Sequence, residues 1–231
     1  SDLDAYLSPI LRRYIDRVQD ALGDTALYFM QSNGGLANAN HFQGKDSILS
    51  GPAGGIVGAV KTAELSGFTK LIGFDMGGTS TDVSHYNGEY ERTYETVVAG
   101  VRMRTPMMNI HTVAAGGGSI LHYDGSRLRV GPDSAGANPG PACYRNDGPL
   151  TVTDCNLLLG YINADYFPNT FGEKADQPLD LKKTQEKFDH LSRQIEGNKK
   201  PELIAEGFLE IAIENMAAAI KKISTEKGYD V

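Results

Sequence analysis

Hydrophobic residues recur with helical spacing in three stretches of the chain. Near the N-terminus, apolar positions every three or four residues predict an amphipathic helix over residues 4–22, with Gly23 as its stop. The same period predicts helices over residues 179–195 and 202–223. The C-terminal part of the chain is therefore expected to be helical.

Short apolar runs bounded by turn residues predict buried strands ahead of that helical part. Residues 26–30 and 71–74 are two such runs. A glycine-rich turn at residues 51–55 opens a further helix that ends near Leu65. Most of the 27 glycines lie between positions 34 and 160, so this region differs in kind from the helical C-terminal part. The mixture of strands and helices predicts an α/β fold.

The strand at 71–74 leads into a segment with the chemistry of a phosphate-binding loop. Asp75 follows the strand directly, at the position where open α/β sheets place functional groups. Two adjacent glycines let the backbone approach an anion closely, and three hydroxyl side chains add donors. The candidate site residues are Asp75, Gly77, Gly78, Thr79, Ser80, Thr81 and Asp82.

The residues after this loop predict a second strand rather than a helix. Residues 82–86 alternate in character, and Asn87-Gly88 supplies a hairpin turn before a further extended segment at 89–93. Walker and Rossmann motifs require strand, loop and helix, and neither spacing occurs in this sequence. A hairpin with an acid and two glycines at its tip instead resembles the phosphate motif of the actin-like ATPase superfamily. The alternative is a plain hairpin turn that packs tightly.

Other glycine-rich segments leave their role open. Glycines at 51, 54, 55 and 58 flatten one helix face, which serves either a ligand or close helix-to-sheet packing. Three glycines at 116–118 suggest a second phosphate or nucleotide contact. The Pro- and Gly-rich run at 130–141 is expected to lack regular secondary structure and to form an ordered loop, either near the site or purely structural.

Composition excludes several classes of protein. The net charge of -7 and the pI near 5.2 argue against a nucleic-acid partner. No apolar run reaches the roughly 18 residues of a membrane span, and residues 1–4 lack signal-peptide character, so a cytoplasmic location is expected. The two cysteines, Cys143 and Cys155, fit a reducing compartment without a disulfide scaffold. His85, His111 and Cys143 are the types of ligand that bind transition metals, although isolated residues of this kind are usually structural.

Six segments in order resemble the hydantoinase A/5-oxoprolinase family, and together they extend over nearly the whole chain. They are MQSNGG at 30–35, LSGPAGG at 49–55, GFDMGGTSTD at 73–82, TVAAGGGS at 112–119, residues 130–144 and TVTD at 151–154. FPNTFG at 167–172, followed by QPL at 177–179, looks more like 5-oxoprolinase than like the acetone carboxylase branch.

The resemblance implies an actin-like ATPase (ribonuclease H-like) lobe, with a mixed sheet, flanking helices, Gly-rich loops and a helical C-terminal part. It implies ATP and Mg²⁺ as cofactors and a small cyclic amide as substrate, with 5-oxoproline, ATP and water giving glutamate, ADP and phosphate. Gly77, Gly78 and Thr79 would hold phosphate oxygens, with Ser80 and Thr81 beside them. Asp75 would orient water or Mg²⁺, and Asp82 would be a second catalytic support.

Full-length relatives in this family carry further motifs that the sequence lacks. These are an N-terminal phosphate motif and a C-terminal adenosine motif, so we expect residues 1–172 to be the central part of the family's domain and 173–231 its helical extension. The chain alone is then expected to be inactive, because it lacks the other lobes. The resemblance also implies a hydantoinase B-type subunit as a partner of the parent protein. Two alternatives are an ATP-dependent acetone or acetophenone carboxylase subunit and a nucleotide-binding regulatory module.

Overall fold

The computed structural model describes residues 2–98, 100–197 and 199–230, so the predicted domain ends at residues 1 and 231 lie outside the described residues. The chain divides into two compact units. The first comprises Ser1–Asp75 and Asp82–His111, and the second comprises Met76–Thr81 and Thr112–Val231. The boundary expected at residue 172 lies within the second unit and stays a prediction.

The first unit opens with helix α1, Asp2–Leu22, and the antiparallel hairpin of β1, Tyr28–Met30, and β2, Leu36–Asn38. Helix α2, Ser50–Leu65, follows. Helix α1, strand β1 and helix α2 confirm the three elements predicted for this part of the sequence, with ends shifted by a few residues. Ile15 of α1 is buried against a small core with Phe42, while α2 buries Ala53, Ile56 and Val60 in another. Small residues along α2 allow this close packing.

A strand, a loop and a second strand follow α2, as the sequence predicts. Strand β3, Lys70–Met76, leads into β4, Thr81–Asn87, and Gly88 takes a left-handed φ of 85° at the next turn. Beyond it, four short strands of the first unit form two antiparallel pairs. These are β5, Arg92–Thr93, with β8, Met107–Met108, and β6, Thr96–Val98, with β7, Val101–Met103.

The described residues form five small sheets. The largest has the order β3-β4-β9, where β9 is His111–Val113. In the second unit, β10, Ser119–Tyr123, pairs antiparallel with β11, Leu128–Ser134. The expectation that residues 130–141 lack regular structure is therefore wrong for 130–134, because the hairpin register accommodates Gly131 and Pro132 in its strand.

Helices complete the second unit and provide its core. They are α3, Val152–Leu158, α4, Leu181–Gln194, and α5, Pro201–Ile223. Phe188 of α4 and Phe208 of α5 are fully buried together with Val152 and Cys155 of α3. The α/β class and the helical C-terminal part are confirmed. None of the helices in the described part of the chain is long and apolar enough to cross a membrane.

Candidate functional site

A cavity in the first unit collects the two predicted catalytic carboxylates. It measures about 160 Å³, and its lining comes from α2, β3, β4 and Ile110. Asp75 and Asp82 both line it, although six residues lie between them in the sequence. Ser84 is the third polar side chain of the lining, and no sequence pattern singled it out. The cavity thus presents two carboxylates and a hydroxyl among mainly apolar walls.

The flat face of α2 explains part of this cavity. Pro52, Gly55 and Ala59 line it, and a Cβ added at Gly55 would lie 3.8 Å from Oδ2 of Asp75. Gly51 and Gly58 have no described atom within 4 Å of such a Cβ. Close helix-to-sheet packing therefore does not account for these two glycines, and the face next to Asp75 stays open.

In the second unit, two glycine-rich segments lie directly against each other. The amide of Gly77 donates to the carbonyl of Ser80 at 2.9 Å, which closes the turn. Gly117 donates to the carbonyl of Gly77 at 3.0 Å, and Gly118 donates to that of Gly78 at 2.6 Å. A Cβ at Gly116 would lie 2.6 Å from the Gly77 carbonyl oxygen, so a side chain there would collide with backbone.

These contacts correct the prediction that residues 116–118 contact phosphate. The Gly116 amide donates to the Ser119 hydroxyl at 2.9 Å, and the other two amides donate to the loop carbonyls. All three N–H groups are thus already satisfied within the protein. The glycines are needed because two backbones approach closely, and they hold the loop of residues 77–80 in place.

The hydroxyl residues of the loop differ in what they offer. Thr81 is 0% exposed, and its Oγ1 donates to the Ala115 carbonyl at 2.6 Å. We therefore correct its predicted role from ligand contact to positioning of the loop. Gly77, Gly78 and Thr79 are exposed, Ser80 is half-buried, and no described atom lies within 4 Å of a Cβ placed at Gly78. The exposed part of the loop is free to meet an anion through its backbone.

A buried carboxylate that sequence reasoning missed organises the same unit. Asp154 is 0% exposed and accepts hydrogen bonds from the amides of Ala142, Cys143 and Thr151. It also accepts from the hydroxyls of Thr151 and Thr184. The signal was present in the sequence, because a Thr three residues before an Asp is the pattern of a capping box at a helix start.

The two cysteines are free and buried, as expected for a chain without a disulfide scaffold. Burial raises the pKa of the Cys143 thiol well above its usual range, and the Asp154 carboxylate raises it further. The pKa of Cys155 rises for the same two reasons. Both thiols are therefore protonated and unreactive at neutral pH.

The structure gives no support to a transition-metal site. His85 is hydrogen-bonded to Glu91 at 2.7 Å through Nδ1, and Cys143 is buried beside Asp154 in the other unit. Among the described residues, no three His, Cys, Asp or Glu side chains are placed to hold a metal ion.

Comparison with known proteins gives the chain its family. The sequence matches the hydantoinase/oxoprolinase family over residues 1–231. It is 48% identical over 243 residues to 5-oxoprolinase 1 of Arabidopsis thaliana, which covers 99% of this chain and 19% of the plant protein. The chain thus spans about a fifth of the length of that relative.

Two solved structures share the fold. An acetone carboxylase in its nucleotide-free form superposes with a TM-score of 0.80 and 26% identity, over 94% of this chain and 31% of that one. The ATP-dependent caprolactamase of Pseudomonas jessenii gives a TM-score of 0.76 and 35% identity, over 98% of this chain and 33% of its own. The resemblance predicted from the six sequence segments is confirmed, and the chain belongs to the hydantoinase/oxoprolinase family.

Proposed function

We propose that this chain is the phosphate-binding part of an enzyme that uses ATP to hydrolyse a cyclic amide, with 5-oxoproline as the substrate. One observation carries the proposal: Asp75 and Asp82, which flank the exposed glycine loop in sequence, line one cavity. A loop that offers backbone N–H groups and has a carboxylate on each side of it in the sequence suits the phosphates of a nucleotide. The 48% identity to a plant 5-oxoprolinase supports the choice of substrate.

Each residue has a role in this proposal. Gly78 and Thr79 bind the terminal phosphate oxygens, and Ser80 adds a donor at the half-buried end of the loop. The predicted phosphate contact of Gly77 is corrected, because its amide donates to the Ser80 carbonyl and closes the turn. Asp75 orients the cation and its waters, and Asp82 supports the same water network from β4. Thr81 fixes the loop through its bond to Ala115.

The residues of the cavity fit Mg²⁺ better than a metal ion whose ligands all come from the protein. Mg²⁺ keeps several waters and binds proteins through one or two carboxylates together with substrate phosphates. Asp75 and Asp82 provide such a pair, and the described residues offer no set of three ligands. When bound, the ion neutralises phosphate charge during transfer.

ATP is used because a lactam is a poor electrophile. Its amide oxygen attacks the γ-phosphorus and ADP leaves, which turns that oxygen into part of a leaving group. A first water then adds to the activated carbon, and cleavage of the ring C–N bond releases the amine and leaves an acyl phosphate. A second water hydrolyses this acyl phosphate, which gives the carboxylate of glutamate and phosphate. The chain supplies positioning and charge stabilisation for these steps rather than a nucleophile of its own.

The proposal places this chain within a larger assembly. The matched relatives are three to five times its length, and one relative is named caprolactamase subunit alpha, which supports a second subunit as partner. We propose that the missing lobes and a hydantoinase B-type subunit complete the substrate site. The two buried free thiols support a cytoplasmic location.

A second candidate is ATP-dependent carboxylation of a ketone. The observation that favours it is the TM-score of 0.80 with acetone carboxylase, although sequence identity is only 26%. Both reactions begin by phosphorylating an oxygen, so the phosphate loop serves either one.

Product analysis of the full-length protein tests the proposal. We expect Mg-ATP and 5-oxoproline to give glutamate, ADP and phosphate in equal amounts. Asp75→Asn and Gly78→Val are each expected to lower kcat/KM by about a hundredfold or more, through loss of charge stabilisation and through blocking of the loop. Asp165→Asn, at an exposed carboxylate outside the cavity, is the matched control and should retain activity.

The outcomes separate the candidates. Acetoacetate from acetone, bicarbonate and Mg-ATP, without glutamate from 5-oxoproline, would favour the carboxylase. Nucleotide binding without turnover of any of these substrates would favour a regulatory module. Full activity of both Asp75→Asn and Gly78→Val would refute the assigned site.

A further inference from the structure

Ser84 is a buried hydroxyl that the proposed mechanism has not used. It lies on β4, is 5% exposed and lines the cavity that also holds Asp75 and Asp82. Its hydroxyl makes no hydrogen bond to any of the described residues. The hydroxyl is not sealed in the protein but opens onto the cavity, so it is available to a water or a ligand there.

Gly73, on the neighbouring strand β3, leaves room for the Ser84 hydroxyl. A Cβ added at Gly73 would lie 2.4 Å from Oγ of Ser84, whereas Cβ of Ser84 would be 3.8 Å away and its carbonyl oxygen 4.0 Å away. The φ of Gly73 is not in the left-handed region, so its backbone does not require glycine. Glycine at position 73 therefore accommodates the Ser84 hydroxyl specifically.

Strand geometry groups these four residues on one surface. Side chains two positions apart in a strand point to the same face, which pairs Asp82 with Ser84 on β4 and Gly73 with Asp75 on β3. The cavity of about 160 Å³ is larger than one water, whose share of liquid volume is about 30 Å³. A hydroxyl both donates and accepts, so it can link a water to two acceptor-only carboxylates.

We propose that Ser84 is a positioning residue whose hydroxyl holds a water in the hydration shell of a divalent cation at Asp75. The inference rests on the proposed function, because the cation is the one that accompanies the nucleotide. Gly73 keeps the hydroxyl directed into the cavity. Ser84 itself does not contact the reacting atoms.

The experiment uses the full-length protein and Mn²⁺ as a spectroscopic substitute for Mg²⁺. Free Mn²⁺ is measured by electron paramagnetic resonance in the presence of ADP, which reports binding without turnover. We expect Ser84→Ala to weaken Mn²⁺ binding at least fivefold. Gly73→Ala keeps the serine but displaces its hydroxyl, so it should weaken binding to a similar degree. In the double variant the losses should not add, because both changes remove the same hydroxyl.

A second readout separates positioning from general damage. In steady-state assays, Ser84→Ala should raise the Mg²⁺ concentration needed for half-maximal rate, while kcat at saturating Mg²⁺ stays within about threefold. Thr62→Ala, at an exposed hydroxyl on α2 away from the cavity, is the control and should change neither value. Circular dichroism melting checks that each variant is folded.

The outcomes distinguish this inference from the proposed function. If the wild-type protein binds no Mn²⁺ with ADP, the proposed function fails. If the wild type binds Mn²⁺ and Ser84→Ala binds it within twofold, the role of Ser84 is overturned. Equal losses in kcat and in cation affinity, or additive losses in the double variant, would also overturn it in favour of a packing role.

Discussion

At the scale of single residues, Asp154 shows how one buried carboxylate holds several segments of the chain together. Its two oxygens accept five hydrogen bonds, three from backbone amides and two from threonine hydroxyls. The partners lie before α3, at its start and on α4, so one side chain fixes three segments. No described cation pairs with it, and the amides and hydroxyls alone offset the loss of hydration.

We predict that Asp154→Asn is strongly destabilising. The amide has the same shape, but its NH₂ group must face a backbone N–H donor whichever way it is turned, because each oxygen of Asp154 accepts from at least one amide. Leaving buried donors unpaired should cost about 3 kcal/mol of unfolding free energy. Urea denaturation followed by circular dichroism measures this loss.

The control is another aspartate of the same unit, Asp147. Its side chain is 92% exposed, and its ion pair with Lys183 is 3.5 Å long. Asp147→Asn should change stability by less than about 0.5 kcal/mol. Equal effects of the two substitutions would show that Asp154 has no special structural role.

The residue scale is also where prediction from sequence reached its limit. Asp75 and Asp82 were predicted because each flanks a glycine loop, and the cavity brings both together. Ser84 was not predicted, because a serine in an alternating strand has no distinctive pattern. Thr81 carries the same hydroxyl as Thr79, and sequence alone does not tell which of the two is buried.

At the scale of elements, the contact between two glycine segments defines the candidate phosphate loop. Carbonyls of Gly77 and Gly78 are held by the amides of Gly117 and Gly118. The loop carbonyls are thereby directed toward the protein, which leaves the exposed side of the loop to its N–H groups and hydroxyls. Rigid support of this kind is what a binding loop requires.

We predict opposite tolerance for alanine in these two segments. A Cβ at Gly118 would lie 2.8 Å from both the Gly78 carbonyl oxygen and Oγ of Ser134, so Gly118→Ala must displace the loop. We expect it to lower unfolding free energy by about 1–3 kcal/mol and to weaken nucleotide binding. Thermal melting and calorimetric titration with Mg-ADP in the full-length protein measure both effects.

Gly78→Ala is the matched control for stability. It has no described atom within 4 Å of its added Cβ, so the fold should accept it with little change in melting temperature. If Gly118→Ala melts like Gly78→Ala, the close approach of the two segments does not constrain the loop.

The sequence predicted elements well where the hydrophobic period extends over many residues. It predicted them poorly in glycine-rich segments, where a glycine is compatible with more than one structure. Helices α1, α4 and α5 follow from many repeats of one period, so single exceptions such as Pro9 did not hide them. Strand β11 was missed at 130–134 because Gly and Pro usually end strands. Glycines at 116–118 make room for backbone rather than for phosphate, and only the folded partner distinguishes these uses.

At the scale of the whole molecule, the chain is a small part of the length of its relatives. It spans 19% of the plant 5-oxoprolinase and about a third of each of the two solved structures. Its sequence contains one Asp-x-Gly-Gly-Thr segment, at residues 75–79. We propose that the rest of the nucleotide site lies in the parts of the full-length relatives that this chain does not match.

We therefore predict that the 231-residue chain alone does not convert 5-oxoproline to glutamate with ATP. One phosphate loop holds a phosphate from one side only, and catalysis of phosphoryl transfer depends on donors that surround it and exclude water. A coupled glutamate assay compares the chain with the full-length protein at equal concentration, after circular dichroism has shown that the chain is folded. ATP-dependent glutamate formation by the chain, abolished by Asp75→Asn, would contradict the prediction.

Calorimetric titration with Mg-ADP then decides how much of the site is present in the chain. Binding without turnover means that the loop of residues 77–80 is preformed. No binding means that the second lobe is required even for the nucleotide to associate.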